Sequence, residues 1–87
     1  MKEFTYTITD PLGLHARPAG RLAKTVRTMD SSVTIARTDG NKSVSASKLM
    51  SIMSLGIRTG EMVTVSVEGG SEEENAATLE RFFSENL

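Results

Sequence analysis

Alternating apolar and polar residues predict the β-strands of this chain. In residues 3–9 aromatic and aliphatic side chains occupy every second position and threonines stand between them, which is the period of a strand with one buried face. The same alternation recurs in residues 33–35 and 63–67, and a short strand is expected at residues 43–46, after the hairpin signal Asp39-Gly40-Asn41. The predicted inward-facing residues are Phe4, Tyr6, Ile8, Val33, Ile35, Val63, Val65 and Val67.

Apolar residues at helical spacing predict three helices between and after these strands. The first begins at Ala16, after the chain break Asp10-Pro11-Leu12-Gly13. The second is short, with Ser47 as its N-cap and Gly56 as its terminator. The third opens with a capping box at residues 71–74. Their apolar stripes comprise Ala19, Leu22, Ala23 and Val26, then Leu49, Met50, Ile52, Met53 and Leu55, then Ala76, Leu79, Phe82 and Phe83.

The predicted elements follow one another in the order βαββαβα. Because the longer strands have one apolar face each, helices are expected on a single side of an antiparallel sheet, in an α+β fold. The chain has 87 residues, and we expect it to form one domain, residues 1–87, which buries about 60–65% of its unfolded surface.

Composition limits the kinds of site that the chain can form and the cellular location that is expected for it. Cysteine is absent, which excludes disulfides, thiolate metal sites and thiol nucleophiles and suits a reducing compartment. No basic segment followed by an apolar stretch begins the chain, and no apolar run approaches the ~20 residues of a membrane span. We therefore expect a cytoplasmic protein without membrane insertion.

The charges are distributed unevenly, although the net charge is −1. Between Asp10 and Asp30 every charged residue is basic, whereas in residues 72–85 every charged residue except Arg81 is acidic. The basic run is either an ordinary solvated helix face or a positive patch that steers an acidic partner. A nucleic-acid role is not expected, because the patch is short and carries no aromatic residues for base stacking. The basic residues are Arg17, Arg21, Lys24 and Arg27.

The single histidine, His15, stands at the predicted start of the first helix, two residues before Arg17. A helix start leaves about four backbone N–H groups without intrahelical partners and carries roughly half a positive charge, so it binds anions. Imidazole is also nucleophilic near neutral pH. The pattern therefore indicates a site for a phosphorylated histidine, with an inert N-cap histidine as the alternative.

Two segments carry a resemblance to a known family. They are Gly13-Leu14-His15-Ala16-Arg17-Pro18-Ala19 and Leu49-Met50-Ser51-Ile52-Met53-Ser54-Leu55-Gly56. Together with the element order, they resemble the HPr family of phosphocarrier proteins in the bacterial phosphoenolpyruvate-dependent sugar phosphotransferase system. The resemblance covers essentially the whole chain, and it implies an open-faced β-sandwich in which three helices cover one face of a four-stranded antiparallel sheet.

The resemblance also implies a function. His15 matches the histidine that, in the family, accepts phosphate on Nδ1 from phosphorylated enzyme I and passes it to sugar-specific IIA components. Arg17 matches the arginine that contacts the phosphoryl group, and the helix start formed by Ala16, Arg17 and Pro18 completes the cradle. The chain is then a carrier rather than an enzyme, and its residues require no metal or organic cofactor. Two alternatives stay open: a regulatory adaptor that acts through phosphorylation-dependent binding, and an interaction domain without phosphorylation.

The surface on which the family docks enzyme I and the IIA proteins maps onto the first two helices. Exposed methionines ringed by basic groups suit a surface that serves several partners; the alternative is that Met50 and Met53 fill core. We expect Met53 to be mostly core, Met50 to be partly exposed and the protein to be a monomer. The residues assigned to this surface are Gly20, Arg21, Lys24, Arg27, Lys48, Met50 and Ser51.

Two positions depart from the family pattern. Many members carry a regulatory serine, phosphorylated by HPr kinase, where this chain has Lys48, and lysine cannot take that modification. Ser47 stands one place earlier as a shifted candidate, but one residue rotates the hydroxyl by roughly 100° on a helix, and an N-cap role accounts for Ser47. Gly20 replaces the usual Ala, Ser or Thr; it either lets a partner approach closely or reflects neutral drift.

Overall fold

The alternating segments form a four-stranded antiparallel sheet. The computed structural model describes residues 1–87. Its strands are β1 (Lys2–Thr7), β2 (Ser32–Arg37), β3 (Ser43–Ser45) and β4 (Met62–Glu68), and they lie side by side in the order β1-β4-β2-β3. Every neighbouring pair is antiparallel, which confirms the predicted sheet.

Three helices complete the fold and cover one face of the sheet. They are α1 (Ala16–Arg27), α2 (Leu49–Met53) and α3 (Glu72–Asn86). The predicted order βαββαβα and the α+β open-faced sandwich are therefore confirmed. None of the three helices has the length and apolar character needed to cross a bilayer.

The core lies between the inner face of the sheet and the helices. Along the central strand β4, alternate valines are fully buried and the residues between them lie on the other face. Phe83 of α3 packs edge-on against Phe4 and Tyr6, with ring centroids 5.8 and 5.5 Å apart. One cluster contains 19 buried hydrophobic residues, and no polar or charged residue is fully buried. All the candidate chemistry therefore lies at the surface.

The first strand ends earlier than the alternation predicted. Residues 3–9 were expected to be extended, but β1 ends at Thr7, and Ile8 is buried just past its end. The N–H groups of Thr9 and Asp10 donate instead to the carbonyl of Leu87, at 2.6 and 2.8 Å. Ile8 itself still bonds the segment before β4, with its N–H on the Glu61 carbonyl at 2.9 Å and its carbonyl on the Gly60 N–H at 2.7 Å. The chain leaves the sheet from Thr9 onward, where the hydrogen-bond partner is Leu87, just past α3, rather than a strand.

Two helix starts differ in detail from the sequence prediction. The prediction that Ser47 caps α2 is wrong: the N-cap is Lys48, and the Ser47 hydroxyl hydrogen-bonds Ser45 at 2.7 Å. At α3, Ser71 is the N-cap as predicted, but it forms no capping box: its hydroxyl donates to Asp30, and so does its N–H, which a capping box would pair with Glu74. In both cases the serine hydroxyl hydrogen-bonds a nearby polar side chain instead of the N–H groups of the helix.

Candidate functional site

His15 stands at the start of α1, as the sequence predicted. It is the N-cap residue, with an extended backbone (φ −91°, ψ 179°), and its carbonyl accepts the Ala19 N–H at 3.0 Å. The N–H groups of His15, Ala16 and Arg17 precede this first helical bond, so they have no helical carbonyl to bond. Pro18 has no N–H and is buried beneath them. Pro18, which the sequence prediction included in the cradle, therefore contributes no donor, and the donors are the backbone N–H groups of His15, Ala16 and Arg17, at the positive end of the helix.

The turn before α1 is held against the segment that follows α2. Gly13 has a φ of +69°, and a Cβ there would lie 2.7 Å from the carbonyl oxygen of Ile57. Leu14 is buried and donates its N–H to the same carbonyl at 3.1 Å. Only glycine fits this approach and this backbone conformation, so the backbone that leads into His15 is anchored to the rest of the fold.

The His15 ring contacts Asp10, a residue that the sequence prediction did not include in the site. Nε2 of His15 lies 3.3 Å from Oδ2 of Asp10, and the two side chains are 31% and 23% exposed. The other carboxylate oxygen, Oδ1, accepts the Leu12 N–H at 2.9 Å. This backbone hydrogen bond holds the pKa of Asp10 below its usual range, and the hydrogen bond and charge of His15 lower that pKa further.

A signal for this contact was present in the sequence. Aspartate at the first position of a turn commonly accepts the backbone N–H two residues on, and Asp10 does so with Leu12. The turn is closed by the Gly13 N–H, which donates to the Asp10 carbonyl at 2.8 Å. It folds the carboxylate back toward the residue that starts the helix. A turn aspartate five residues before a helix N-cap is therefore a candidate neighbour of the N-cap side chain.

Arg17, the second residue of α1, is exposed, and its side chain makes no ion pair or hydrogen bond within the protein. Its guanidinium is therefore unrestrained beside the helix start. Arg21, Lys24 and Arg27 continue the exposed side of α1, opposite the buried apolar stripe. The predicted arrangement of a basic face backed by an apolar face is confirmed for this helix.

The short helix α2 packs beside α1 and extends this exposed surface. Arg27 donates to the carbonyl of Ser47 at 2.9 Å, which ties the end of α1 to the start of α2. Lys48 is exposed, Met50 is 79% exposed and Ser51 is half-buried. We call this combined surface the basic face; it comprises Arg17, Gly20, Arg21, Lys24, Arg27, Lys48, Met50 and Ser51.

The prediction that Met53 is mostly core is wrong. Met53 is 37% exposed, as is Leu49. The physical reason is the length of α2, which has five residues and buries Ile52 alone. Leu55 fills the neighbouring core position just past the helix. More apolar surface is therefore exposed beside the basic face than the sequence indicated.

Neither Ser47 nor Lys48 provides a free hydroxyl at the start of α2, where many members of the family carry the regulatory serine. Lys48 occupies the N-cap of α2. The half-buried Ser47 lies outside the helix, and its hydroxyl is paired with that of Ser45 at 2.7 Å. The absence of a regulatory modification at Ser47 stays a prediction, now based on this hydroxyl pair rather than on an N-cap role.

Gly20 lies inside α1 at a point where a Cβ would meet no atom within 4 Å. We expect Gly20→Ala to raise the free energy of unfolding by about 0.5–1 kcal/mol, because alanine loses less backbone entropy in a helix and nothing obstructs its methyl group. Urea denaturation of the two proteins measures the difference, and a lower midpoint for the variant would contradict the expectation. The rate of phosphoryl transfer separates the two explanations of the glycine: an unchanged rate indicates drift, and a slower one indicates that a partner needs the space.

Fold and site together define a class of protein: a small α+β domain that presents one histidine beside unpaired amides at a helix start. Comparison with known proteins identifies the family within that class. A family model described as "PTS HPr component phosphorylation site" matches residues 2–85. The chain belongs to the HPr family, the phosphocarriers of the phosphotransferase system.

Individual relatives agree with this assignment. The chain is 34% identical to phosphocarrier protein HPr of Mycoplasma genitalium over 86 residues, which are 99% of this chain and 97% of that protein. The crystal structure of HPr-C-His from Thermoanaerobacter tengcongensis has a TM-score of 0.84 and 41% identity, with 100% of both chains covered. A multiphosphoryl transfer protein of Xanthomonas campestris is 38% identical over 68 residues, which are 78% of this chain and 8% of that protein.

Proposed function

We propose that this protein accepts a phosphoryl group on His15 from phosphorylated enzyme I and passes it to sugar-specific IIA components in sugar uptake. The observation that carries this proposal is the position of His15, a partly exposed imidazole at the N-cap of α1, next to three N–H groups that lack helical partners. Membership of the HPr family supports phosphorylation of a histidine as the chemistry. The cytoplasmic location and the single-domain unit of residues 1–87 belong to the same proposal.

The site is suited to transferring a phosphoryl group as well as holding it. Transfer between two imidazoles passes through a loose transition state with charge on the equatorial oxygens. Only contacts that are stronger in that state than in phosphohistidine accelerate the transfer. The N–H groups of Ala16 and Arg17 and the unrestrained Arg17 guanidinium fit this demand, because they meet oxygen anions at an open surface without enclosing them.

The basic face is the proposed docking surface for both classes of partner. Its cations would steer acidic surfaces of enzyme I and the IIA proteins toward His15, so the association rate would fall as ionic strength rises. The strongly exposed Met50 supplies an adaptable apolar contact on this face. Leu12, which the sequence prediction left out of the surface, is 74% exposed three residues before the histidine and adds a second such contact.

Phosphorylation by enzyme I and phosphoenolpyruvate tests the proposal. We expect the intact mass of the protein to increase by one phosphate, and we expect acid to remove that phosphate, because the nitrogen–phosphorus bond of phosphohistidine is labile. His15→Ala should fold and gain nothing, since the chain has no other histidine. Lys24→Ala, which removes a charge from the same helix, is the matched control and should still gain the phosphate. A wild-type protein that gains no phosphate would refute the proposal.

Onward transfer separates the carrier from the regulatory adaptor. The phosphorylated protein is mixed with a sugar-specific IIA domain, and the mass of each protein is followed with time. Loss of the phosphate from this chain and its gain by the IIA domain are expected. Retention of the phosphate with every IIA domain tried would favour the adaptor instead.

A further inference from the structure

The two ring nitrogens of His15 are in different environments. Nε2 lies 3.3 Å from the Asp10 carboxylate, whereas Nδ1 makes no hydrogen bond within the protein, and the ring does not cap the helix beside it. We propose that Asp10 is a positioning residue, which holds the imidazole hydrogen on Nε2 so that the lone pair of Nδ1 accepts the phosphoryl group. This inference rests on the proposed function and assigns a role to a residue outside the basic face.

The charge of Asp10 fixes the direction of the hydrogen bond. An ionised carboxylate can only accept hydrogen bonds, and the pKa of Asp10 is held below its usual range, chiefly by the Leu12 N–H and further by His15. At neutral pH the shared hydrogen must therefore belong to Nε2. A neutral imidazole carries its hydrogen on one nitrogen only, so this arrangement leaves Nδ1 with a free lone pair.

Asp10 is itself fixed by three backbone contacts. Its Oδ1 accepts the Leu12 N–H at 2.9 Å. Its carbonyl accepts the Gly13 N–H at 2.8 Å, and its own N–H donates to the Leu87 carbonyl at 2.8 Å. These bonds leave Oδ2 facing the histidine. A carboxylate anchored in this way sets both the orientation and the tautomer of a neighbouring imidazole.

No other acid shares this position. Asp10 is the only residue that pairs with His15, and the next acid along the chain is Asp30. The Asp30 carboxylate is occupied at the start of α3, where it accepts hydrogen bonds from Ser71 and Asn75. The tautomer of His15 therefore depends on a single side chain.

The transfer step balances with this tautomer. The Nδ1 lone pair of His15 forms a bond to phosphorus while the bond from phosphorus to the donor's phosphorylated imidazole breaks. The electron pair of that bond stays on the donor nitrogen, and the donor ring, protonated on its other nitrogen, leaves as neutral imidazole. His15 keeps the hydrogen on Nε2 and becomes a phosphorylated imidazolium, whose positive charge the Asp10 carboxylate offsets. With the opposite tautomer, Nδ1 would first have to lose a proton.

Asp10→Asn provides a test with little change in shape. The Leu12 N–H needs an acceptor, so the amide oxygen takes the place of Oδ1 and the NH₂ group takes the place of Oδ2. That group donates, so the Nε2 of His15 must accept, and the hydrogen moves to Nδ1. Asp39→Asn removes the same charge in the exposed β2–β3 hairpin and is the matched control.

Two measurements follow from this design. Nitrogen-15 chemical shifts of the imidazole at about pH 8.5, where histidine is ordinarily neutral, should show hydrogen on Nε2 in the wild type and Asp39→Asn, and on Nδ1 in Asp10→Asn. The initial rate of phosphorylation by enzyme I should fall by about 10–100-fold in Asp10→Asn alone, which is the usual effect of removing an orienting partner. The final phosphate content should be unchanged.

Either measurement can overturn the proposal. Hydrogen on Nδ1 in the wild-type protein refutes it without any variant, and so does an Asp10→Asn rate equal to that of Asp39→Asn. The failure of the proposed function is a distinct result, in which the wild type takes up no phosphate. In that event the tautomer measurement still decides whether Asp10 controls the ring.

Discussion

Arg17→Ala is expected to slow phosphoryl transfer to His15 by about 10²–10³-fold, which is the usual loss when one preorganised donor to a developing negative charge is removed. The guanidinium is exposed and bonded to nothing in the protein, so it is available to the equatorial oxygens as charge builds on them. Single-turnover transfer from phosphorylated enzyme I at saturating partner measures the chemical step. Far-ultraviolet circular dichroism should be unchanged, because alanine is a better helix former than arginine and the lost side chain is exposed and makes no hydrogen bond or ion pair.

The matched control for this variant is Lys24→Ala. It removes one positive charge from the same exposed side of α1, seven residues further along and so about 10 Å further from the helix start. It should weaken the salt-dependent encounter with enzyme I but leave the saturated rate unchanged. Equal saturated rates for Arg17→Ala and Lys24→Ala would show that Arg17 acts only through the general charge of the basic face.

Gly13→Ala is expected to lower the free energy of unfolding by about 2–4 kcal/mol, from the left-handed backbone and the steric overlap together. The φ of +69° disfavours any side chain, and the new Cβ would lie 2.7 Å from the Ile57 carbonyl oxygen, which is backbone and cannot rotate away. Relief of that overlap would also break the bond from the Leu14 N–H to the same carbonyl. Urea denaturation gives the loss, and the initial rate of phosphorylation should fall with it, because His15 follows directly.

Gly56→Ala separates the two causes of this loss. Gly56 has a similar φ of +58°, but a Cβ there would meet no atom within 4 Å. The control variant should therefore lose only about 1–2 kcal/mol, the cost of a left-handed residue with a side chain. If the two variants lose the same stability, the approach of Gly13 to Ile57 does not hold the site together.

Much of the fold is predictable because it depends on local periodicity. The valines of β4 alternate with polar residues, and their burial follows from a repeat of two that any strand must have. The helix start at Ala16 is also local, since the chain break before it and Pro18 in its first turn leave few other places for a helix to begin. The placement of His15 beside unpaired amides required only this start.

Predictions about single side chains failed where two partners compete for the same group. Ser71 had the sequence context of a capping box, but its hydroxyl donates to the carboxylate of Asp30, which lies in the connection between α1 and β2. Ser47 similarly pairs with Ser45 rather than with the N–H groups of α2. The prediction for Met53 failed for a different reason: its spacing matches the core, but a helix of five residues buries only Ile52. None of these outcomes is contained in a local pattern.

The sequence by itself determined the order of the elements, the buried faces of the strands and the position of the one histidine at a helix start. Local spacing is sufficient for these features, because a strand repeats every two residues and a helix every 3.6. Only the tertiary structure decided which nitrogen of His15 faces a carboxylate and what holds Gly13 in place. These contacts depend on the turn that folds Asp10 back and on the approach of Ile57, a residue far along the chain, and spacing along a sequence does not encode distances between separate segments.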